Sequence, residues 1–301
     1  MDSARSVKWI IAACLLLSAC GSPASDSAAP APASTPVPPL AVGAVMNMSY
    51  TMTSLNAAPN IYALTDGIFQ RGTDVNSQDY VLVQLLKQMA FGDLNGDNAG
   101  DAAVLLAENF GGTGTFVSLI AVLNQGGKPV QAGVVAIDDR HNPNSLKIES
   151  GKVILDTAIH SFQDPMCCPA FEVKQTYGLT KGGLTLQNFV SKTPSGAERK
   201  ITIESPANGA QVFGAVQVKG NVTVAPFENN LVYSFYDGLG NKLTQGPIKV
   251  QAKDLGGPGI FDGNVPLNSI PAGLVVRLEV ADLSAADGSI LAMDSVELVV
   301  K

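Results

Sequence analysis

Oxygen-bearing side chains fall at the first, third, fifth and ninth positions of Asp93-Leu94-Asn95-Gly96-Asp97-Asn98-Ala99-Gly100-Asp101, and the seventh, Ala99, can offer a backbone carbonyl. A hard cation such as Ca²⁺ takes about six to eight oxygens, and a tight loop of alternating acids wraps them inward. Gly96 and Gly100 permit the turns that such wrapping needs. The spacing therefore predicts a structural Ca²⁺ held by Asp93, Asn95, Asp97, Ala99 and Asp101. The competing reading is a set of Asx turns, in which the same side chains bond their own backbone and need no metal.

A second constellation is Asp164-Pro165-Met166-Cys167-Cys168-Pro169. Of the four cysteines, Cys14 and Cys20 lie in the N-terminal segment, which leaves the adjacent pair Cys167 and Cys168. Successive Cα atoms across a trans peptide are about 3.8 Å apart, below the usual disulfide range of about 4.4–6.8 Å. Two buried thiols in a turn fixed by Pro165 and Pro169 are expected. A vicinal bridge would need a distorted or cis peptide and an oxidising compartment.

His160 stands close enough in sequence to serve a thiolate at Cys167, but Asp164 is the nearest charge and opposes one. With only two histidines, His141 and His160, no Ser-His-Asp order emerges. No catalytic residue is assigned, and the chain is expected not to be an enzyme. The alternative is an envelope hydrolase or thiol enzyme built on Asp93, Asp97, His160 and Cys167. Asp138-Asp139-Arg140-His141 reads as a solvated hairpin end with Asp–Arg pairing. Gly111-Gly112-Thr113-Gly114-Thr115 lacks the Lys-Ser/Thr of a phosphate loop and reads as a β-turn.

The elements that must position these residues are strands. Val, Ile, Thr and Phe recur in short runs broken by Gly, Asn and Asp, the signature of a mainly β chain. Between residues 46 and 192 such runs include Tyr80-Val81-Leu82-Val83, Ala102 to Leu106, Thr115 to Leu123, Val130 to Ile137 and Phe171 to Tyr177. Asp66-Gly67, Gly126-Gly127, Ser150-Gly151 and Gly182-Gly183 punctuate them, which predicts an antiparallel sheet of hairpins. Tyr80 to Phe91 also fits a helical stripe through Leu82, Leu85, Leu86 and Met89, but a strand leading into Asp93 is preferred. Residues 193–200 read as a linker. From 201 to 301 the alternation of Val216 with Val218 and of Val222 with Val224, among seven or eight short strands, predicts an immunoglobulin-like β-sandwich.

At the other end, Arg5 and Lys8 precede an apolar run, Trp9 to Leu17, too short to span a bilayer. Leu17-Ser18-Ala19-Cys20 closes it. Residues 1–19 are thus expected to be a signal peptide. Residues 20–45, rich in Pro, Ala and Ser, are expected to form a disordered, extended tether. A net charge of −7 leaves no basic stripe, so nucleic acid is excluded as a partner.

Several segments resemble known families. Leu17-Ser18-Ala19-Cys20 resembles the lipobox of bacterial lipoproteins, which implies acylation of Cys20 and membrane attachment through that lipid. Gly21 behind it resembles an outer-membrane sorting pattern in cells with two membranes; with one membrane, the protein would face outward from it. Phe91-Gly92 with the Asp-rich loop resembles a single FG-GAP repeat. The loop departs from an EF-hand at Asn98 and Val104, where that motif has Gly and Glu. The central region is similar to uncharacterised bacterial lipoprotein domains, through Phe91 to Asp97, Gly112 to Phe116 and Asp164 to Pro169.

Ile203-Glu204-Ser205-Pro206-Ala207-Asn208-Gly209, Val216-Gln217-Val218-Lys219-Gly220, Phe227-Glu228 and Tyr236-Asp237-Gly238 resemble the immunoglobulin-like domain associated with bacterial spore germination. The resemblance implies an extracytoplasmic binding or assembly domain without catalytic residues. Phe227 and Glu228 are the residues expected to meet an envelope protein or cell-wall partner.

Overall fold

A computed structural model describes residues 37–53 and 59–301. Cys20, the signal segment and the chain up to residue 36 lie outside the described residues.

A short helix, α1 (Val42–Met46), leads to a two-stranded hairpin, β1 (Ser49–Met52) with β2 (Asn60–Ala63). Five strands follow as an antiparallel meander: β3 (Ile68–Arg71), β4 (Val81–Gly92), β5 (Asp101–Asn109), β6 (Phe116–Gln125) and β7 (Lys128–Asp139). A second meander comprises β8 (Asn142–Glu149), β9 (Lys152–Ile159), β10 (Phe171–Thr180) and β11 (Gly183–Lys192). The turns expected at 126–127 and 150–151 place both central residues at positive φ, as tight hairpins require: Gly126 and Gly127 at 63° and 88°, Ser150 and Gly151 at 51° and 73°.

Strand β5 is buried on both faces, from Asp101 to Glu108. Ala102, Val104 and Leu106 face one core with Leu40, Val45, Tyr50, Met52 and Tyr62. Ala103, Leu105 and Ala107 face another with Leu146, Val153, Leu155, Tyr177 and Leu184. The period-2 alternation of a strand thus serves two cores, and the central region has three layers. Two expectations change here. Leu40 (6% exposed) and Val45 (0%) fall in the stretch assigned to the tether by composition, yet both are core residues. Tyr80 to Phe91 is a strand, as preferred, with a register shift between Leu85 and Met89. The intervening residues bulge, which turns the alternation into a helix-like stripe.

The chain then reaches β12 (Glu198–Arg199), β13 (Ile201–Ser205), β14 (Ala210–Val212), β15 (Ala215–Val222), β16 (Asn230–Tyr236), β17 (Lys242–Ala252), β18 (Gly259–Pro266), β19 (Val275–Leu283) and β20 (Ile290–Val300). Strands β13, β15, β18 and the end of β17 make one layer. The rest of β17 with β16, β19, β20 and β14 makes the other. Val218, Leu231, Phe235, Phe261, Val276 and Leu278 fill the space between them. This is the expected immunoglobulin-like sandwich. Val216–Val218 and Val222, read as separate strands, lie on one strand. Gly220 is not a turn residue; a Cβ there would sit 2.0 Å from the Thr202 carbonyl oxygen and 2.4 Å from the Phe261 ring, so its role is close approach.

The two β regions share a sheet. Strand β20 pairs with β11 through Asn188↔Asp294 and Phe189↔Met293. Val173, Phe189, Ala281 and Met293 form a small apolar core at the join. The segment expected to be a linker folds back instead, with β12 pairing β11 through Ser191↔Arg199 and Lys192↔Glu198. No described helix is long and apolar enough to cross a membrane.

Candidate functional site

The Asp-rich loop joins β4 to β5, and its side chains are turned onto its own backbone. Asp93 Oδ1 accepts from the N–H groups of Gly96 (2.7 Å) and Asn95 (3.2 Å), and Oδ2 from that of Asn98 (2.9 Å). The Asn98 N–H in particular holds the Asp93 carboxyl below the usual carboxylate range. Asn95 Oδ1 accepts from Asp97 N–H, and Asp97 Oδ1 from Ala99 N–H. Asp101, fully buried, accepts at 2.8 Å from Leu94 N–H and at 2.8 Å from Asn124 N–H. Asn124 extends the node by donating its amide to the carbonyls of Pro38 (2.8 Å) and Gly100 (3.2 Å). The loop therefore brings together all the residues expected to bind Ca²⁺, but in an Asx-turn network. Among the described residues no group of three or more His, Cys, Asp or Glu is arranged to hold a metal ion. A Ca²⁺ here would share these oxygens with the backbone N–H groups that reach them.

The Cys167 and Cys168 expectation is corrected. The two sulfurs are bonded to each other across a trans peptide, with Cα atoms 3.7 Å apart, and both residues are exposed. They are neither buried nor free thiols. The β9–β10 loop that carries them, 160–170, is closed at its base by Asp164 Oδ2, which accepts from Ser161 N–H (2.9 Å) and Ala170 N–H (3.0 Å). The same N–H groups hold the Asp164 carboxyl below its ordinary range. Both cysteines lie at the exposed tip of a surface loop, with Pro165 and Met166 exposed before them.

The charged turn at 138–141 is also not a solvated hairpin end. Arg140 does pair with Asp139 (2.6 Å), as expected. Asp138, however, reaches across to His160, accepting its backbone N–H and standing 2.9 Å from Nδ1. His141 is only 6% exposed, and neither ring nitrogen has a hydrogen-bond partner among the described residues. Burial lowers its pKa to about 4, against an opposing pull from Asp138. Asp138 thus orients the His160 ring through Nδ1 while Nε2 has no hydrogen-bond partner among the described residues, and the sulfur that the ring might have served is bonded to a second sulfur.

Pairing of β11 with β20 and β12 creates a cleft of about 710 Å³ that no sequence motif marked. Ser161, Phe162 and Asp164 line it from the β9–β10 loop, Lys192, Pro194 and Arg199 from β11 through β12, and Ser284, Ala286 and Ser289 from the segment between β19 and β20. Phe162 is largely exposed at its rim. Lys192 is paired with Glu172. Arg199 Nη1 stands 3.7 Å from the Asp282 carboxylate, which is almost wholly buried. Burial raises the Asp282 pKa to about 6, and the Arg199 charge only partly offsets it. The sequence could not show this pair, because its partners come from the supposed linker and from β19. Phe227 and Glu228, expected to meet a partner, lie in a 3₁₀ turn before β16 and do not line the cleft. Phe227 is 72% exposed, and Glu228 takes a positive φ of 56°.

The class that this architecture defines is an immunoglobulin-like β-sandwich joined edge to edge with a three-layered antiparallel β region. Residues 200–289 match Gmad2, the immunoglobulin-like domain of bacterial spore germination. The match stops just before β20, the strand that joins the sandwich to β11. No curated protein matches the chain.

Proposed function

We propose that the protein is a lipid-anchored component of a bacterial cell envelope whose role is binding or assembly rather than catalysis. The observation that carries this reading is the Gmad2 match over all but the last strand of a well-packed sandwich whose turn at 227–229 presents an exposed Phe227 beside Glu228. An exposed aromatic with an adjacent charge suits a protein or wall partner, since aromatic residues dominate interface energetics. Anchoring is assigned to acyl chains on Cys20, in the segment that resembles a lipobox. The alternative, an envelope hydrolase or thiol enzyme using the central region, would need the Cys167–Cys168 bond opened before either sulfur could act as a thiolate.

Two measurements test the reading. On detergent phase partitioning, the wild-type chain should enter the detergent phase and Cys20→Ala the aqueous phase; equal partitioning would remove the anchor. In envelope cross-linking, Phe227→Ala with Glu228→Ala should lower the yield of the cross-linked species about tenfold, the loss of one modest hot spot. An unchanged yield would move the contact off this turn.

A further inference from the structure

We propose that Cys167–Cys168 is a reversible redox site, opened by an external dithiol and closed again by oxidation, and that its state sets the local mobility of the tip of the β9–β10 loop. Both cysteines are exposed, so a reductant can reach the sulfurs in the folded chain. Exposed disulfides are the ones that exchange most readily, because attack by a thiolate depends on access. No other cysteine lies among the described residues, so the exchanging partner has to come from outside this fold.

The local structure separates opening of the bond from loss of the fold. Asp164 clamps the base of the loop through Ser161 and Ala170, and Pro165 accepts a hydrogen bond from Cys168 N–H at 2.9 Å. None of these contacts uses sulfur. Reduction therefore opens only the ring closed by the two side chains, which loosens the Cys167–Cys168 peptide and the Cys168 N–H bond to Pro165, and leaves the base attached to β9 and β10.

The chemistry balances with a dithiol as co-reactant. One thiolate of the reductant attacks either sulfur, breaking the Cys167–Cys168 bond and forming a mixed disulfide. The second thiol of the reductant then displaces the remaining cysteine. Two electrons and two protons pass to the pair, which ends as two thiols, and the dithiol ends as a disulfide. The proposal stands independently of whether the sandwich binds a partner.

The test uses the full chain, folded, with dithiothreitol as reductant and N-ethylmaleimide as trap, and peptide mapping to locate the label. Before reduction neither Cys167 nor Cys168 should take label. After reduction in native buffer both should, with the thermal melt still cooperative. Removing dithiothreitol and adding oxidised glutathione should restore resistance to the label. Hydrogen exchange at the Cys168 amide should accelerate about tenfold on reduction while the Ser161 and Ala170 amides keep their protection. A bond that opens only in denaturant overturns the proposal. So does labelling without reductant that oxidised glutathione cannot prevent, or Cys168 exchange that ignores the redox state. The Cys167→Ser/Cys168→Ser variant should show the fast exchange in both buffers, and slow exchange in that variant would equally overturn the coupling.

Discussion

Asp101 and Asp282 are both buried carboxylates at the ends of strands, and the molecule treats them in opposite ways. Asp101 accepts two backbone N–H groups at 2.8 Å, from Leu94 and Asn124, and so fixes the β4–β5 loop against β6. Asp282 has Arg199 at 3.7 Å, and burial lifts its pKa to about 6. The first is solvated by the fold; the second is merely enclosed by it. Burial of a carboxylate is stabilising or costly according to the hydrogen bonds that replace water, not according to depth.

The largest effect should come from removing the satisfied member. Asp101→Ala leaves two buried N–H groups without an acceptor and should cost about 3–5 kcal/mol, read by chemical denaturation. A loss below about 1 kcal/mol would show that the node is not what holds the loop.

Acid titration is expected to distinguish the enclosed member. The Asp282 pKa in the fold, about 6, lies above its ordinary 3.8, so the group's contribution to stability is full below about pH 4 and is lost as pH rises through 6. His141 does the reverse. Its pKa falls from 6.5 to about 4, so its contribution is full above pH 6.5 and is lost as pH falls toward 4. Each swing is roughly 3 kcal/mol at about 1.4 kcal/mol per pH unit, and the two nearly cancel. The wild-type protein should therefore have a flat stability profile from pH 4 to 6.5. Asp282→Asn should be more stable at pH 7 and should lose stability on acidification. His141→Gln should gain stability over the same range. Parallel slopes in all three proteins would refute this opposition.

Calcium gives the smallest expected effect. With the loop oxygens already held by N–H groups, the melting temperature should move by less than about 1 °C between EDTA and millimolar Ca²⁺. A rise of several degrees would instead make the loop a cation site by mass action.

What the sequence made legible follows from how local each signal is. Hairpin turns such as Gly126-Gly127 declare themselves through two adjacent residues, and the alternation of β15 through one segment. The Asp-rich cluster was legible as a loop, since its Asx turns form within a few residues. Leu40 and Val45 were not legible as core, because the prolines before them dominate the local composition while their partners, Tyr50 and Tyr62, lie beyond it. The Arg199–Asp282 pair and the cleft depend on β20 docking beside β11, a pairing between distant strands that no window of sequence contains. His141 was misread for the same reason: its neighbours by sequence are charged, and its neighbours in space are not water.

The join between β11 and β20 also has a mechanical meaning. It combines two residue pairs, the Asn188–Asp294 side-chain bond (3.0 Å), the Ser295 hydroxyl on the Gln187 carbonyl (2.7 Å) and the core around Phe189 and Met293. Gly182 adds a second point of purchase, since a Cβ there would lie 2.8 Å from the Leu239 carbonyl oxygen of the sandwich. Two such points, set apart along the seam, resist twisting as a single hinge would not. A pull on the sandwich is then delivered to β10 and β11 as torque, so the protein answers a load as a stiff lever rather than as beads on a string.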